Sequence, residues 1–181
     1  MHPHMLAVLA QLDQSRDTLR AAVDAMPDSD RARRPSPERW SALEIVEHVA
    51  LVDARFTGML APKLAQAREQ GLGPETAARV PLPAPVAVAL GDRTAPRRAP
   101  DPAQPTGTLD EAGAWAAAHR AREAFRALVT SHDGLALSRV VHDHAFFGTL
   151  DIYQWVELVA AHEVRHAQQV REVAARIGAA R

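Results

Sequence analysis

Cysteine is absent from the 181 residues, which excludes disulfides, a thiolate metal site and a cysteine nucleophile together. An excess of either charge is also lacking. Lys+Arg number 21 against 22 Asp+Glu, a formal charge of −1, so nothing draws the chain in bulk to nucleic acid or to an anionic membrane. No apolar run approaches the roughly 20 residues of a membrane span. The opening Met1-His2-Pro3-His4-Met5 has neither the basic region nor the apolar core of a signal peptide. No stretch reads as a β-strand, and there is no internal repeat. These absences lead to the expectation of a cytoplasmic protein with no nucleic-acid or membrane partner.

What the chain does have is apolar residues, 47 % of it, as expected of a packed globule. Its length suits one domain over 1–181, burying roughly 70 % of the unfolded surface. From Met5 to Met26, Met5, Leu9, Leu12, Leu19 and Val23 mark one face of a first helix, ended by Pro27-Asp28. A polar link follows, in which Arg31, Arg33 and Arg34 read as a solvated basic loop. Ser41-Ala42-Leu43-Glu44 is a capping box for a second helix, with Ile45, Val49, Val52, Phe56 and Met59 on its apolar face. Pro62 should bend or end that helix, and Gly71 should close whatever continues.

Residues 71–107 hold eight of the thirteen prolines, a density that suppresses both helical and strand periodicity. The segment reads as a crossover that wraps the body, in preference to a binding lid, with Val86 to Leu90 lying down on the domain. A second capping box at Thr108 to Glu111 opens a third helix, faced by Trp115, Ala118, Arg122, Phe125 and Val129. Arg122 interrupts that apolar stripe. The simpler expectation is that it snorkels to water; the sharper one is an anion held in the core. Asp151-Ile152-Tyr153-Gln154 caps a fourth helix running almost to the end. The fold expected is therefore all-α, a four-helix bundle with a long crossover between helices 2 and 3.

On the fourth helix, Ile152, Trp155, Val159, His162, His166, Val170, Val173 and Ile177 recur at three- and four-residue steps. His162 and His166, one turn apart, thus occupy core positions and can reach one ion. His48, between Ile45 and Val52 on the second helix, points inward too. Three inward histidines without a metal would need three separate buried hydrogen-bond partners. His48, His162 and His166 are accordingly the expected metal ligands, for a divalent ion such as zinc or nickel. His119 borders the third stripe, His142 and His144 fall in a loop, and His2, His4 and His132 read as terminal or exposed. The string His162-Glu163-Val164-Arg165-His166 also spells a metalloprotease motif. Only fifteen residues follow it, Gln169 stands where one protease subclass needs a glycine, and the accompanying sheet is missing. Glu163 falls off the histidine stripe and reads as an outer or surface residue.

Trp40-Ser41-Ala42-Leu43-Glu44 through His48, and His144 to Leu150 followed by Trp155 and His162-Glu163-Val164-Arg165-His166-Ala167-Gln168-Gln169, resemble the second- and fourth-helix regions of DinB/YfiT-like proteins. The order and spacing match over nearly the whole chain, the proline-rich link apart. The resemblance implies a bacterial metalloprotein fold in which His48, His162 and His166 bind nickel or zinc. It implies thiol-dependent S-transferase activity on a small-molecule substrate, with a small bacterial thiol as cosubstrate, or metal-dependent hydrolysis, or a bundle that only binds a metal or small ligand. It also implies that a homodimer is a common state. Arg122 is a candidate to hold a substrate carboxylate, and Glu163 or Glu44 to assist proton transfer.

Overall fold

The computed structural model describes residues 1–94 and 98–179; residues 95–97 of the proline-rich link and 180–181 lie outside the described residues. Four long helices carry the fold: α1 (Pro3–Asp24), α3 (Ala42–Glu69), α5 (Glu111–Thr130) and α6 (Ile152–Ala179). A one-turn α2 (Asp28–Arg31) follows α1, and a two-turn α4 (Ala84–Gly91) lies within the link. Among the described residues, no helix is long and apolar enough to cross a membrane.

The helix boundaries follow local chemistry. Ser41 Oγ accepts the Glu44 N–H and the Glu44 carboxylate accepts the Ser41 N–H, which is the capping box expected for α3. Asp151 and Gln154 bond reciprocally in the same way at the start of α6. The start of α5 differs from the sequence expectation. Its cap is Asp110, accepting from Gly113 N–H at 2.7 Å, while the Thr108 hydroxyl pairs with that of Thr106. Pro62 does not end α3, which continues to Glu69. Leu60 and Leu64 on either side of it are fully buried, and their packing offsets the lost backbone hydrogen bond. The true stop is Gly71 at φ +74°; Gly71 and Leu72 N–H return to the Arg68 and Ala67 carbonyls, the Schellman pattern that satisfies the last turn.

The core falls into two apolar clusters whose membership fixes helix direction. Met5 to Leu12 of α1, Leu60 and Leu64 of α3, Phe125 and Val129 of α5, and Ile152 to Ala160 of α6 share one cluster. Leu19 to Met26, Ala42 to Ala50, Ala114, Ala118, and Ala167 to Ile177 share the other. Helices α1 and α6 therefore run parallel, and α3 and α5 run together in the opposite sense. Because α3 ends where α5 does, the link must travel back along the bundle, and that requirement explains its length.

Between the two clusters lies a buried ionic layer. Arg122 of α5 donates to Asp53 of α3 at 2.9 Å, to Glu163 of α6 at 2.8 Å and to the Leu12 carbonyl of α1 at 3.0 Å. Arg122 does not snorkel; the anions it holds are protein carboxylates. Burial lowers its pKa while Asp53 and Glu163 raise it, and the net shift is upward.

Several segments depart from the sequence reading. Of the three arginines expected in a solvated loop, Arg33 and Arg34 are exposed, although Arg34 pairs with Glu44, while Arg31 is drawn in and pairs with Glu111 at 2.8 Å. The loop expected before α6 contains an antiparallel hairpin, β1 (Val141–His144) with β2 (Gly148–Asp151), in register Val141↔Asp151 to His144↔Gly148. Four-residue strands, of which only Leu150 and Asp151 are buried, are too short for a period-two pattern to stand out in the sequence. The link contains α4, whose Val86 and Leu90 are buried as expected; α4 lies on α6, where Arg165 donates to the Leu90 carbonyl at 2.8 Å. Elsewhere the link is tied down by carboxylates, with Glu157 accepting from Arg79 and Leu82 N–H, and Glu172 from Arg93 at 2.5 and 2.8 Å.

The ionic layer generates a stability prediction. Arg122→Met leaves Asp53 and Glu163 buried with only Arg16, 3.7 Å and 2.6 Å from them, as a shared cation, and costs about 3–5 kcal/mol in urea unfolding. Replacing Arg122, Asp53 and Glu163 together by apolar residues of similar volume recovers most of that loss. Equal destabilisation in the single and triple variants would contradict the assignment.

Candidate metal centre

His48 comes from α3 and His162 and His166 from the antiparallel α6. One ring nitrogen from each lies within 4.8 Å of the others, a group that could hold a metal ion. The ring centroids are 5.4 Å apart for His48–His162, 4.7 Å for His48–His166 and 4.4 Å for His162–His166. His48 and His166 are 4 % and 6 % exposed, and His162 is half-buried. The Trp40 ring, 4.8 Å from that of His48, walls one side.

The hydrogen bonds fix which nitrogens are free to coordinate. His48 Nδ1–H donates to the Ala103 carbonyl at 2.7 Å, and His166 Nδ1–H donates to Gln169 Oε1 at 2.8 Å. Both rings therefore present an Nε2 lone pair. His166 Nε2 lies 3.0 Å from His162 Nε2. Two lone pairs cannot face each other at that distance without a proton or a cation between them. Desolvation, then neighbouring charge led by His48, pushes the His162 pKa down to about 3. Burial, reinforced by His162 and His48, drives His166 well below its ordinary value. Burial also lowers His48, against the opposing effect of the Ala103 bond. All three imidazoles are thus neutral at physiological pH, the state in which imidazole ligates a metal.

The remaining candidates are placed elsewhere. Glu163 is fully buried, not at the surface, and its oxygens turn to α1 and α5; it accepts from Ser15 at 2.6 Å, Arg16 at 2.6 Å and Arg122 at 2.8 Å. Glu44 is committed to the α3 cap and Arg34, and Arg122 to the ionic layer. His119 is exposed. His132 is buried, contrary to expectation, with its Nδ1 on the Leu128 carbonyl at 2.9 Å. His142 and His144 belong to β1, where His144 stacks on Phe147 at 4.6 Å. The sequence reading missed Asp53 and Ala103. Asp53 had a signal: it follows Val52 and lies four residues after Val49, so it is a misfit acid opposite the misfit Arg122. Ala103 had none, because its part is played by a backbone carbonyl.

A helical bundle with three inward histidines from two antiparallel helices is the class of protein that this fold and site define. The chain belongs to the DinB superfamily, whose family model matches residues 11–170. It is 26 % identical to the uncharacterized protein YuaE of Bacillus subtilis (strain 168) over 153 residues, 84 % of this chain and 88 % of that one. The crystal structure of TT2238, a four-helix bundle protein, superposes with a TM-score of 0.61, 19 % identity, and coverage of 93 % of this chain and 98 % of that. At that identity the likeness shows the fold alone.

The lowered histidine pKa values set a pH dependence. As pH falls below about 6.5, the unfolded chain takes up protons that the buried imidazoles refuse, so the metal-free fold loses stability. Urea unfolding of metal-free protein from pH 7.5 to 5 shows that loss, and His166→Gln makes it shallower. An unchanged slope in the variant would contradict the assignment.

Proposed function

We propose that the chain is a metal-dependent enzyme acting on a small molecule, with His48, His162 and His166 as ligands of one divalent cation, zinc or nickel, and a small bacterial thiol as cosubstrate. The observation that carries this reading is the 3.0 Å approach of His162 Nε2 to His166 Nε2 while His48 and His166 keep their protons on Nδ1. The donor set fits a borderline cation: three neutral nitrogens, two of them oriented by hydrogen bonds to their far side. A cation held there lowers the pKa of a thiol or water that joins it.

The protein's own part is to hold three imidazoles neutral and aimed at one point, and to leave His162 half-open as the side from which a substrate enters. The chain has no cysteine, so the sulfur of an S-conjugate arrives on the cosubstrate. Thiol transfer is favoured over hydrolysis because Glu44 and Glu163 are both engaged by arginines. A thiol, with an ordinary pKa near about 8.5, is ionised without a protein base more readily than water. A hydrolase working on the same ion is the alternative, and a bundle that binds a metal or small ligand without turnover is the third.

Elemental analysis of untagged protein purified without added metal is expected to find about one zinc or nickel per chain, lost in His166→Ala. Less than a tenth of a metal per chain in the parent would sink the site. With a chlorinated aromatic acceptor and a panel of low-molecular-weight bacterial thiols, conjugation is expected to drop about 100-fold or more in His48→Ala. Equal rates in parent and variant would rule out a metal-activated thiol.

A further inference from the structure

We infer that the end of the crossover, Ala103 to Gly107, is a working part of the metal centre: it sets the orientation and proton position of His48, and Glu47 is the positioning residue that holds it there. This rests on the reading of His48 as a ligand. The segment is built for the task. The Ala103 carbonyl that accepts from His48 Nδ1–H at 2.7 Å belongs to a 3-10 turn over Asp101–Ala103. That turn is closed by Ala103 N–H on the Pro100 carbonyl at 2.8 Å and braced by Gln104 Nε2 on the Ala99 carbonyl at 2.6 Å. Pro100, Pro102 and Pro105 fix φ at three positions before, within and after it, so the carbonyl has little freedom to swing.

Glu47, one residue before His48, closes the clamp. Its carboxylate is 5 % exposed and is spent on the segment: Oε1 accepts from Thr106 N–H at 2.9 Å and Thr106 Oγ1–H at 2.7 Å, and Oε2 accepts from Gly107 N–H at 3.1 Å. Gly107 is the third point of attachment. It has φ +70°, and a Cβ there would come within 2.8 Å of Glu44 Oε1, an oxygen already held by Arg34. Glu44, Glu47 and His48 sit three and four residues apart, on one face of α3, and that face receives the segment at Gly107, at Thr106 and at Ala103. The imidazole of His48 is thus steered by a carbonyl whose position is set by the neighbouring side chain. Outer partners of this kind orient a ligand and fix its tautomer.

The test uses the full chain with Glu47→Ala, Thr106→Val and Gly107→Ala, and Arg93→Ala as a control that loosens the link elsewhere. Zinc affinity is measured by competition with a chromophoric chelator. The tautomer of His48 is read in metal-free protein from its nitrogen chemical shifts, and each fold is checked by urea unfolding. Glu47→Ala and Gly107→Ala are expected to weaken zinc about 10- to 100-fold and to move His48 from the Nδ1–H form toward a mixture. Arg93→Ala should leave both readouts unchanged. Affinity within twofold of the parent together with an unaltered His48 tautomer overturns the inference, as does an equal effect of Arg93→Ala. If Glu47→Ala does not fold, Thr106→Val and Gly107→Ala decide by the same measures. Should the parent bind neither zinc nor nickel, the proposed function fails, and the His48 tautomer still decides this one.

Discussion

Arg122 holding Asp53 and Glu163 in the middle of the bundle is the interaction on which the rest of the structure depends. The layer brings together α3, α5 and α6, with α1 joined through the Leu12 carbonyl and through Arg16 on Glu163. A buried ionic cluster of this kind adds little net stability over an apolar one, so its contribution is read as register. Apolar stripes tolerate a slide of one helix turn; a doubly paired guanidinium does not. Glu163 immediately follows His162, and Asp53 lies five residues beyond His48. Locking Glu163 and Asp53 onto one arginine therefore also fixes the height of His162 and His166 against His48.

The histidine cluster inherits its character from that register. Placed in the core, the three imidazoles are held below the ordinary histidine pKa, and burial leads the causes for each. His48 and His166, with their Nδ1 protons engaged, then point their Nε2 lone pairs inward. The proline-rich crossover adds the last constraint through the Ala103 carbonyl. Its prolines suppress regular structure over most of its length, and the same stiffness makes one of its carbonyls a fixed acceptor.

Much of this was legible in the residues. The stripe of α6, the capping boxes of α3 and α6, and the inward placing of His48, His162 and His166 all follow from periodicity and spacing, and they led to the four-helix bundle with its crossover. What was not legible depended on partners distant in sequence. Arg122 read as a snorkelling residue because its stripe alone shows no counter-charge; Asp53 and Glu163 become its partners only once three helices meet. Glu163 looked peripheral because it leaves the histidine stripe, yet in a bundle the adjacent face of α6 is buried against α1. The β1–β2 hairpin was too short to show a period. Of the two outcomes expected at Pro62, the helix continues past it to the stop at Gly71, and α4 formed because Val86 and Leu90 found α6 beneath them.

The central claim is that these three imidazoles converge on one cation. Anomalous diffraction from crystals grown with zinc, collected on both sides of the zinc edge, tests it most directly. The account predicts one strong peak bonded to nitrogens of His48, His162 and His166 at about 2.0–2.1 Å. A peak confined to other residues, or no peak among these histidines at saturating zinc, would contradict it.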